Sequence, residues 1–289
     1  MKPAPFAYHA PQTLSEALAL LVTHGEAARP LAGGQSLVPL MNARLARPEH
    51  LIDINALEGL GFIRGTSETV ELGALVRHRE IEQSATLRRL CPLLPAAAAT
   101  IGHLSIRERG TIGGSLALAD PAAQWPLMAR LLNARIDLAT VSGTRSVFAE
   151  EFFLGVFTTV MKANELLIAV SFPQLQPGEG WGYRAFARRH GDFAIVAAAV
   201  TTALSGSGAV ERLRLALGGI GATPLALHEV ATAWTGRTID AAAMQEIGYA
   251  AAAAVEPQDD LQANAQFRRE LVAVLTAEAL ADALGPSRR

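Results

Sequence analysis

Ile106-Arg107-Glu108-Arg109-Gly110-Thr111-Ile112-Gly113-Gly114-Ser115-Leu116 is the most glycine-punctuated stretch of this chain, and a second glycine pair stands upstream in Ala32-Gly33-Gly34-Gln35-Ser36-Leu37-Val38-Pro39-Leu40-Met41. The two share a logic. Without Cβ atoms the backbone turns sharply and can present N–H groups to an oxyanion, and a neighbouring Ser or Thr adds a hydroxyl. Such loops suit a diphosphate. Neither has the G-x-G-x-x-G spacing of a dinucleotide fold or the Gly-Lys-Ser/Thr ending of a P-loop, which disfavours ordinary NAD and ATP cradles. Considered without its flanks, each pair reads as a tight turn with no ligand.

Outward from these stretches the pattern mixes helix and strand. Thr13 to Gly25 predicts a helix, with Thr13 as its cap, Glu16 completing a capping box, and Leu14, Leu18 and Leu21 on one face. A short strand over 29–32 runs into the first glycine pair, and after a short helix a second strand takes Leu51-Ile52-Asp53-Ile54. Alternation between Phe62 and Leu75 predicts a hairpin turning at Gly65-Thr66-Ser67. Two helical patterns between Arg77 and Gly102 are broken at Pro92 and Pro95. Strands recur over 134–141 and 166–172, and 174–180 has the composition of a linker. Beyond it, strands over 193–204 and 210–217 flank the turn Ser205-Gly206-Ser207-Gly208, and helices follow, including the alanine-rich 241–255. No repeat of solenoid period is present.

The 289 residues exceed one minimal domain and suit two. Half are hydrophobic and 18% are charged, a balance that builds a packed core rather than a disordered chain. The formal charge is −2 and the arginines are interspersed with acids, so a nucleic-acid partner is not expected. Cys91 is the single cysteine, which excludes an internal disulfide and any cysteine-held zinc or iron–sulfur cluster; before Pro92 in an apolar stretch, it reads as an inert packed thiol. No apolar run reaches the ~20 residues of a membrane span. The start Met-Lys-Pro-Ala-Pro-Phe is no signal peptide, so the cytoplasm is the expected compartment.

The flanks of the glycine pairs carry more information. The stretch 32–41, followed by Arg47-Pro48 and 51–54, resembles the first flavin motif of the FAD subunits of molybdenum hydroxylases. The stretch 106–116, continuing through Ala119-Asp120-Pro121-Ala122-Ala123 and Trp125-Pro126, resembles the second. Carbon monoxide dehydrogenase medium subunits and the flavin domain of xanthine dehydrogenase belong to this group. The resemblance extends through Arg184-Ala185-Phe186-Ala187-Arg188-Arg189 with Gly191-Asp192-Phe193-Ala194, Leu217-Gly218-Gly219 to Thr223-Pro224, and Phe267-Arg268-Arg269-Glu270-Leu271. Nearly the whole chain is covered.

This resemblance implies FAD as cofactor and an α+β fold. An FAD-binding domain of the vanillyl-alcohol oxidase (PCMH) type would occupy 1–173, in subdomains of about 1–56 and 57–173, and a smaller α+β domain with a helix-covered sheet would occupy 181–289. It further implies that Leu31, Ala32, Gly33, Gly34, Gln35, Ser36 and Leu37 wrap the FAD diphosphate from one side through backbone amides. Gly110, Thr111, Ile112, Gly113, Gly114 and Ser115 would do so from the other, with hydroxyl bonds from Ser36 and Thr111. Ile101 and Gly102 would lie along the cofactor, Asp120 and Gln124 near its ribose or diphosphate, and Leu167 against the adenine end. Arg184 would approach the flavin ring as a cation, and Asp192 would orient the loop beside it. The isoalloxazine would sit between the two domains, and no general acid or base is assigned.

Four positions depart from the family pattern: Glu108 for Asn, Gln124 for Asp or Glu, Phe267 for Tyr and Asn164 for Asp. A Gln in place of a carboxylate still makes a neutral hydrogen bond worth about 1 kcal/mol, so FAD binding should survive. His78, His103, His190 and His228 are too dispersed for a metal site. Ser36 and Ser115 lack the G-x-S-x-G elbow of a hydrolase nucleophile, and Arg188-Arg189 reads equally as a phosphate clamp or as surface charge or a partner contact. The implied partners are a small 2Fe-2S subunit and a large molybdenum-cofactor subunit, in a dimer of heterotrimers, with NAD, quinone or oxygen as terminal acceptor. A self-contained flavin oxidase and a flavin-free assembly subunit are the competing readings.

Overall fold

Thr13 caps helix α1 (Leu14–His24) by accepting the Glu16 amide at 3.2 Å, and Ala17, Leu18 and Leu21 bury one face. The Glu16 carboxylate accepts from the Gln12 amide at 2.8 Å, so the expected box closes one residue upstream of the cap. This computed structural model describes residues 2–285; residue 1 and the last four of the expected C-terminal domain lie outside the described residues.

Three parallel strands, β1 (Ala7–His9), β2 (Ala28–Leu31) and β3 (His50–Asp53), form a sheet in the order β1-β3-β2, with helix α2 (Leu37–Asn42) in the crossover. Its core joins Ala17, Leu18 and Leu21 to Ile52, Ile54, Leu57 and Leu60.

The next layer is a five-stranded antiparallel sheet. The hairpin β4 (Ile63–Gly65) and β5 (Thr69–Gly73) is followed by helices α3 (His78–Gln83), α4 (Ala85–Leu90), α5 (Leu93–Ala99), α6 (Leu104–Arg107), α7 (Ile112–Leu118) and α8 (Gln124–Leu132). The chain returns through β6 (Arg135–Thr140), β7 (Gly143–Phe148), a short helix α9 (Ala149–Phe152), the ribbon β8 (Phe153–Gly155) with β9 (Thr158–Thr159), and β10 (Leu166–Pro173). The order β4-β5-β10-β6-β7 puts β10 at the centre. Where two helical patterns were expected over 77–102, three helices form. Ser84 caps α4, and Pro95 does not break α5, because it stands in the first turn where an amide has no intrahelical acceptor. Cys91 is fully buried and its thiol is pushed up to about 12 by burial, as an inert core residue should be.

The last third is an antiparallel sheet of β11 (Gly180–Phe186), β12 (Val196–Leu204), β13 (Val210–Gly218) and β14 (Leu225–Ala226), with helices α10 (His228–Thr232), α11 (Ala241–Ala253) and α12 (Ala265–Leu284). Along β12 the side chains alternate: Val196, Ala198 and Val200 join the core under α11 and α12, while Ala197 and Ala199 join the core of the preceding domain. Both faces are buried, which is why this strand reads as an unbroken apolar run. Strand β11 was not expected; its Gly180 was assigned to the linker. A Cβ on Gly180 or Gly182 would overlap the Ala283 or Ala279 carbonyl of α12, so the two glycines let that helix lie directly on the sheet. Among the described residues no helix is long and apolar enough to cross a membrane.

Candidate FAD-binding site

Folding brings the two glycine stretches into contact. Gly33 follows β2 and presses on the peptide between Arg109 and Gly110: an added Cβ would overlap the Arg109 carbonyl oxygen and stand 2.8 Å from the Gly110 Cα. The backbone amides of Gly33, Gly34, Gln35 and Ser36 have no acceptor among the described residues. Gly34 holds φ at +70°, the left-handed region open to glycine, and the Gln35 side chain donates to the Gly33 carbonyl at 3.0 Å, fixing the turn. The Ser36 and Ser115 hydroxyls likewise have no partner among the described residues. A run of unpaired amides with a hydroxyl beside it is a donor set for an anion.

The second stretch is built differently from expectation. It is a helix start rather than a loop: Thr111 caps α7 by accepting the Gly114 amide at 3.1 Å. The Ile112 and Gly113 amides donate to the Val76 and Ala74 carbonyls at 3.1 and 3.0 Å, and the Ser115 amide to the Thr111 carbonyl. These four amides are therefore occupied by the fold. What Gly110 and Gly113 provide is close approach, since a Cβ on Gly110 would meet the His78 ring at 2.6 Å and one on Gly113 would meet Ala74 at 2.6 Å.

Residues that sequence reasoning passed over hold the two stretches together. The Arg77 guanidinium donates to the Arg109 carbonyl at 2.7 Å and to the Asn55 Oδ1 at 2.6 Å, while Asn55 Nδ2 donates to the Leu31 and Ala32 carbonyls at 3.3 and 2.9 Å. Asn55 is oriented by Asp53, which also accepts from the Tyr8 hydroxyl at 2.6 Å. Burial works to raise the Asp53 carboxyl, but the Tyr8 and Asn55 hydrogen bonds and the Arg77 charge hold it below its usual range. His78, given no role from the sequence, lies 5% exposed beneath Gly110 and accepts the Trp125 indole N–H at 3.0 Å. Burial, with the charges of Arg77 and Arg107, depresses it to about 4, so the ring is neutral at physiological pH. Asn55 and Arg77 lie outside the quoted motifs, so no local signal marked them.

Beside this cradle, Ile101 and Gly102 have their carbonyls bound by Arg107 Nη1 at 3.1 Å each, and Gly102 takes φ +49°. Gln124 is buried and its amide donates to the Thr100 hydroxyl at 3.2 Å, so it braces the 100–102 turn. Asp120 accepts the Ala122 amide at 2.9 Å, and burial raises its carboxyl against that bond. Next to it, Pro121 accepts from the Gly219 amide at 2.9 Å, tying the first domain to the second.

An 810 Å³ cleft opens from Pro121 and Ala122 into the last third, between Gly191–Ile195, Gly219–Ala222 and the 256–262 segment. It does not include the Gly33–Ser36 amides. Its floor is fastened by Arg268, 6% exposed, which donates to the Ile195 and Gly219 carbonyls at 2.6 Å each and to Asp260 at 2.7 Å. Arg188 donates to the Gln262 carbonyl at 2.6 Å, a structural tie rather than a free clamp.

With the geometry in place, comparison with known proteins identifies the family. Residues 4–175 match the model described as the FAD binding domain in molybdopterin dehydrogenase, and residues 181–283 match the CO dehydrogenase flavoprotein C-terminal domain. The chain is 37% identical to the 6-hydroxypseudooxynicotine dehydrogenase complex subunit alpha of Paenarthrobacter nicotinovorans, covering 100% of this chain and 97% of that protein. The chain belongs to the FAD-binding medium subunits of the molybdenum hydroxylases. It is also 36% identical to the carbon monoxide dehydrogenase medium chain of Hydrogenophaga pseudoflava, over 97% of both chains. A solved structure of the carbon monoxide dehydrogenase from that organism, lacking the Mo-pyranopterin moiety of its molybdenum cofactor, superposes with a TM-score of 0.94 at 37% identity, over 98% of both chains.

FAD is thus the cofactor of this oxidoreductase subunit, and the cradle's chemistry suits a diphosphate: the 33–36 amides lack acceptors among the described residues, and the glycines leave room for backbone against backbone. Three further residues named from the sequence lie outside the glycine cradle. Leu167 is 3% exposed, its side chain in the core at a β-bulge of β10. Arg184 is held by both oxygens of Asp282 on α12, at 2.8 and 2.9 Å, on the helix-covered side of the sheet. Asp192 is exposed at the rim of the cleft. Of the departures, Phe267 packs edge-on against Phe186 at 5.8 Å, and Glu108 faces Arg79 at 3.7 Å across the surface. A Cβ on Gly191 would meet the His103 ring at 2.6 Å, and that ring lies 5.8 Å from His190.

Proposed function

We propose that this FAD-binding subunit carries electrons from the 2Fe-2S clusters of a small partner subunit to a terminal acceptor (NAD, quinone or oxygen), in an assembly whose large subunit holds the molybdenum cofactor. The observation that carries the reading is the contact of Gly33 with the Arg109–Gly110 peptide beside four unpaired amides at 33–36. Gly33 to Ser36 would hold the diphosphate, with hydroxyls from Ser36 and Ser115. Ile101, Gly102 and the Asp120 turn would flank the nucleotide, with the domain boundary falling at 173–181. The cleft between the 120–122 turn and the 191–195 turn would take the isoalloxazine end. Bound FAD supplies a redox centre able to exchange electrons one or two at a time. The chain itself binds, orients and shields: Arg77 and Asn55 fix the spacing of the two stretches, Arg107 and Gln124 fix the 100–102 turn, and Arg268 fixes the cleft floor.

The partners follow from chemistry the chain lacks. Its one cysteine is buried with a raised pKa, so iron–sulfur ligands must come from another subunit. The similar proteins are likewise named as a subunit of a dehydrogenase complex and as a medium chain. Purification of the native assembly from the cytoplasm, with FAD, iron and molybdenum quantified, tests this. Three subunits in a doubled assembly, whose flavin bleaches on adding the substrate of the molybdenum subunit, is the expected result. A lone yellow chain oxidising a small molecule, or a colourless chain that takes up no FAD, overturns it.

A further inference from the structure

Three histidines lie apart from the FAD site. β1 ends on His9, α1 ends on His24, and β3 begins on His50. Strands β1 and β3 run parallel with Ala7 opposite His50, so His9, two residues beyond Ala7, shares the face on which His50 stands. The end of α1 comes down on the same face: the His24 ring stacks on His50 with centroids 3.6 Å apart and planes 16° from parallel. His9 Nε2 lies 3.0 Å from His50 Nδ1, and one ring nitrogen from each of the three lies within 4.8 Å of the others. All three rings are half-buried, and among the described residues no other group of three His, Cys, Asp or Glu converges in this way.

We propose that His9, His24 and His50 form a binding site for one divalent transition-metal ion of the zinc class, with its fourth position open to solvent. Zinc–nitrogen bonds of about 2.0–2.1 Å in a tetrahedron set ligand nitrogens roughly 3.3 Å apart. The His9–His50 pair is already that close, and the third nitrogen needs only a ring rotation. A cluster of three imidazoles without a carboxylate or thiolate selects zinc, copper, nickel or cobalt over magnesium and calcium. Since β1 is an edge strand, a bound ion would tie it and the end of α1 to β3.

The test uses the full-length, FAD-loaded chain without an affinity tag, stripped with a chelator and titrated with cobalt(II), then with zinc in competition. The visible ligand-field bands of four-coordinate cobalt should appear and saturate at one ion per chain. His50→Ala and His24→Gln should each weaken binding by about 100-fold or more, beyond the 10–100-fold that loss of a mere supporting contact costs. His228→Ala should bind as the parent does, and flavin absorbance should be unchanged throughout. As a readout free of substitution, zinc should raise the thermal midpoint of the parent chain. Absence of saturable cobalt uptake, equal affinity in the two histidine variants, or a zinc-independent midpoint each overturns the site.

Discussion

Gly33→Ala isolates the contact on which the cradle depends. Gly33 is not among the positive-φ glycines, so alanine meets no backbone penalty there and the whole cost is steric. The new methyl would sit 2.8 Å from both the Arg109 carbonyl carbon and the Gly110 Cα. Optimal carbon–carbon contact is about 3.5–4.0 Å, so the two stretches must separate by roughly 1 Å. Neither side yields easily: the Arg109 carbonyl is held by Arg77, and Gly110 lies against the buried His78 ring. Overpacking of this kind costs about 1–3 kcal/mol. If closing the cradle on the diphosphate must recompress the contact, that converts to a rise of roughly 5- to 150-fold in the dissociation constant for FAD. The assay is a titration of flavin-free protein with FAD, followed by flavin fluorescence, alongside Gly61→Ala, where an added Cβ meets nothing within 4 Å. Should Gly33→Ala bind FAD within twofold of the Gly61→Ala control, the two stretches do not act as one cradle.

Other outcomes follow from the same geometry. Thr111→Ala removes the cap on α7 and should lower stability by about 1 kcal/mol, read from denaturant midpoints, while Thr111→Ser should restore it. Arg268→Gln leaves buried carbonyls of Ile195 and Gly219 short of donors, and should destabilise by about 1–3 kcal/mol in the same measurement, the scale for stranding a buried acceptor. His78 is neutral in the fold with its pKa near 4 against 6.5 when unfolded, so its contribution is complete above about pH 6.5 and is lost as pH falls toward 4. Stability should therefore drop by at most about 3 kcal/mol more across that window in the parent than in His78→Gln, measured by chemical denaturation at a series of pH values. Arg184→Ala should leave the flavin spectrum and FAD affinity unchanged, because its guanidinium is engaged by Asp282, and should cost under about 1 kcal/mol as an exposed pair; a shifted flavin spectrum would return it to the ring.

The linear sequence by itself determined the family, the cofactor and most of the regular elements. Those rest on local signals: Thr13 as a cap, the Val70/Leu72 alternation, and glycines placed where a side chain would obstruct backbone. It also located both halves of the cradle, although they lie about 80 residues apart in the chain. What only the tertiary structure decided is which donors remain free. The amides of Ile112 and Gly113 are taken by Val76 and Ala74, partners that no spacing in the 106–116 motif reveals, and those of Gly114 and Ser115 by the cap Thr111, whereas those of 33–36 are not taken. Asn55 and Arg77 work through long-range carbonyl contacts, and an arginine that grips a distant main chain looks in sequence like one that faces solvent. Strand β11 was hidden for a related reason: Gly180 reads as linker because the surface that it and Gly182 fit, the backbone of α12, arrives a hundred residues later. Hydrogen-bond occupancy and close packing are properties of pairs, and the sequence shows one member of each pair at a time.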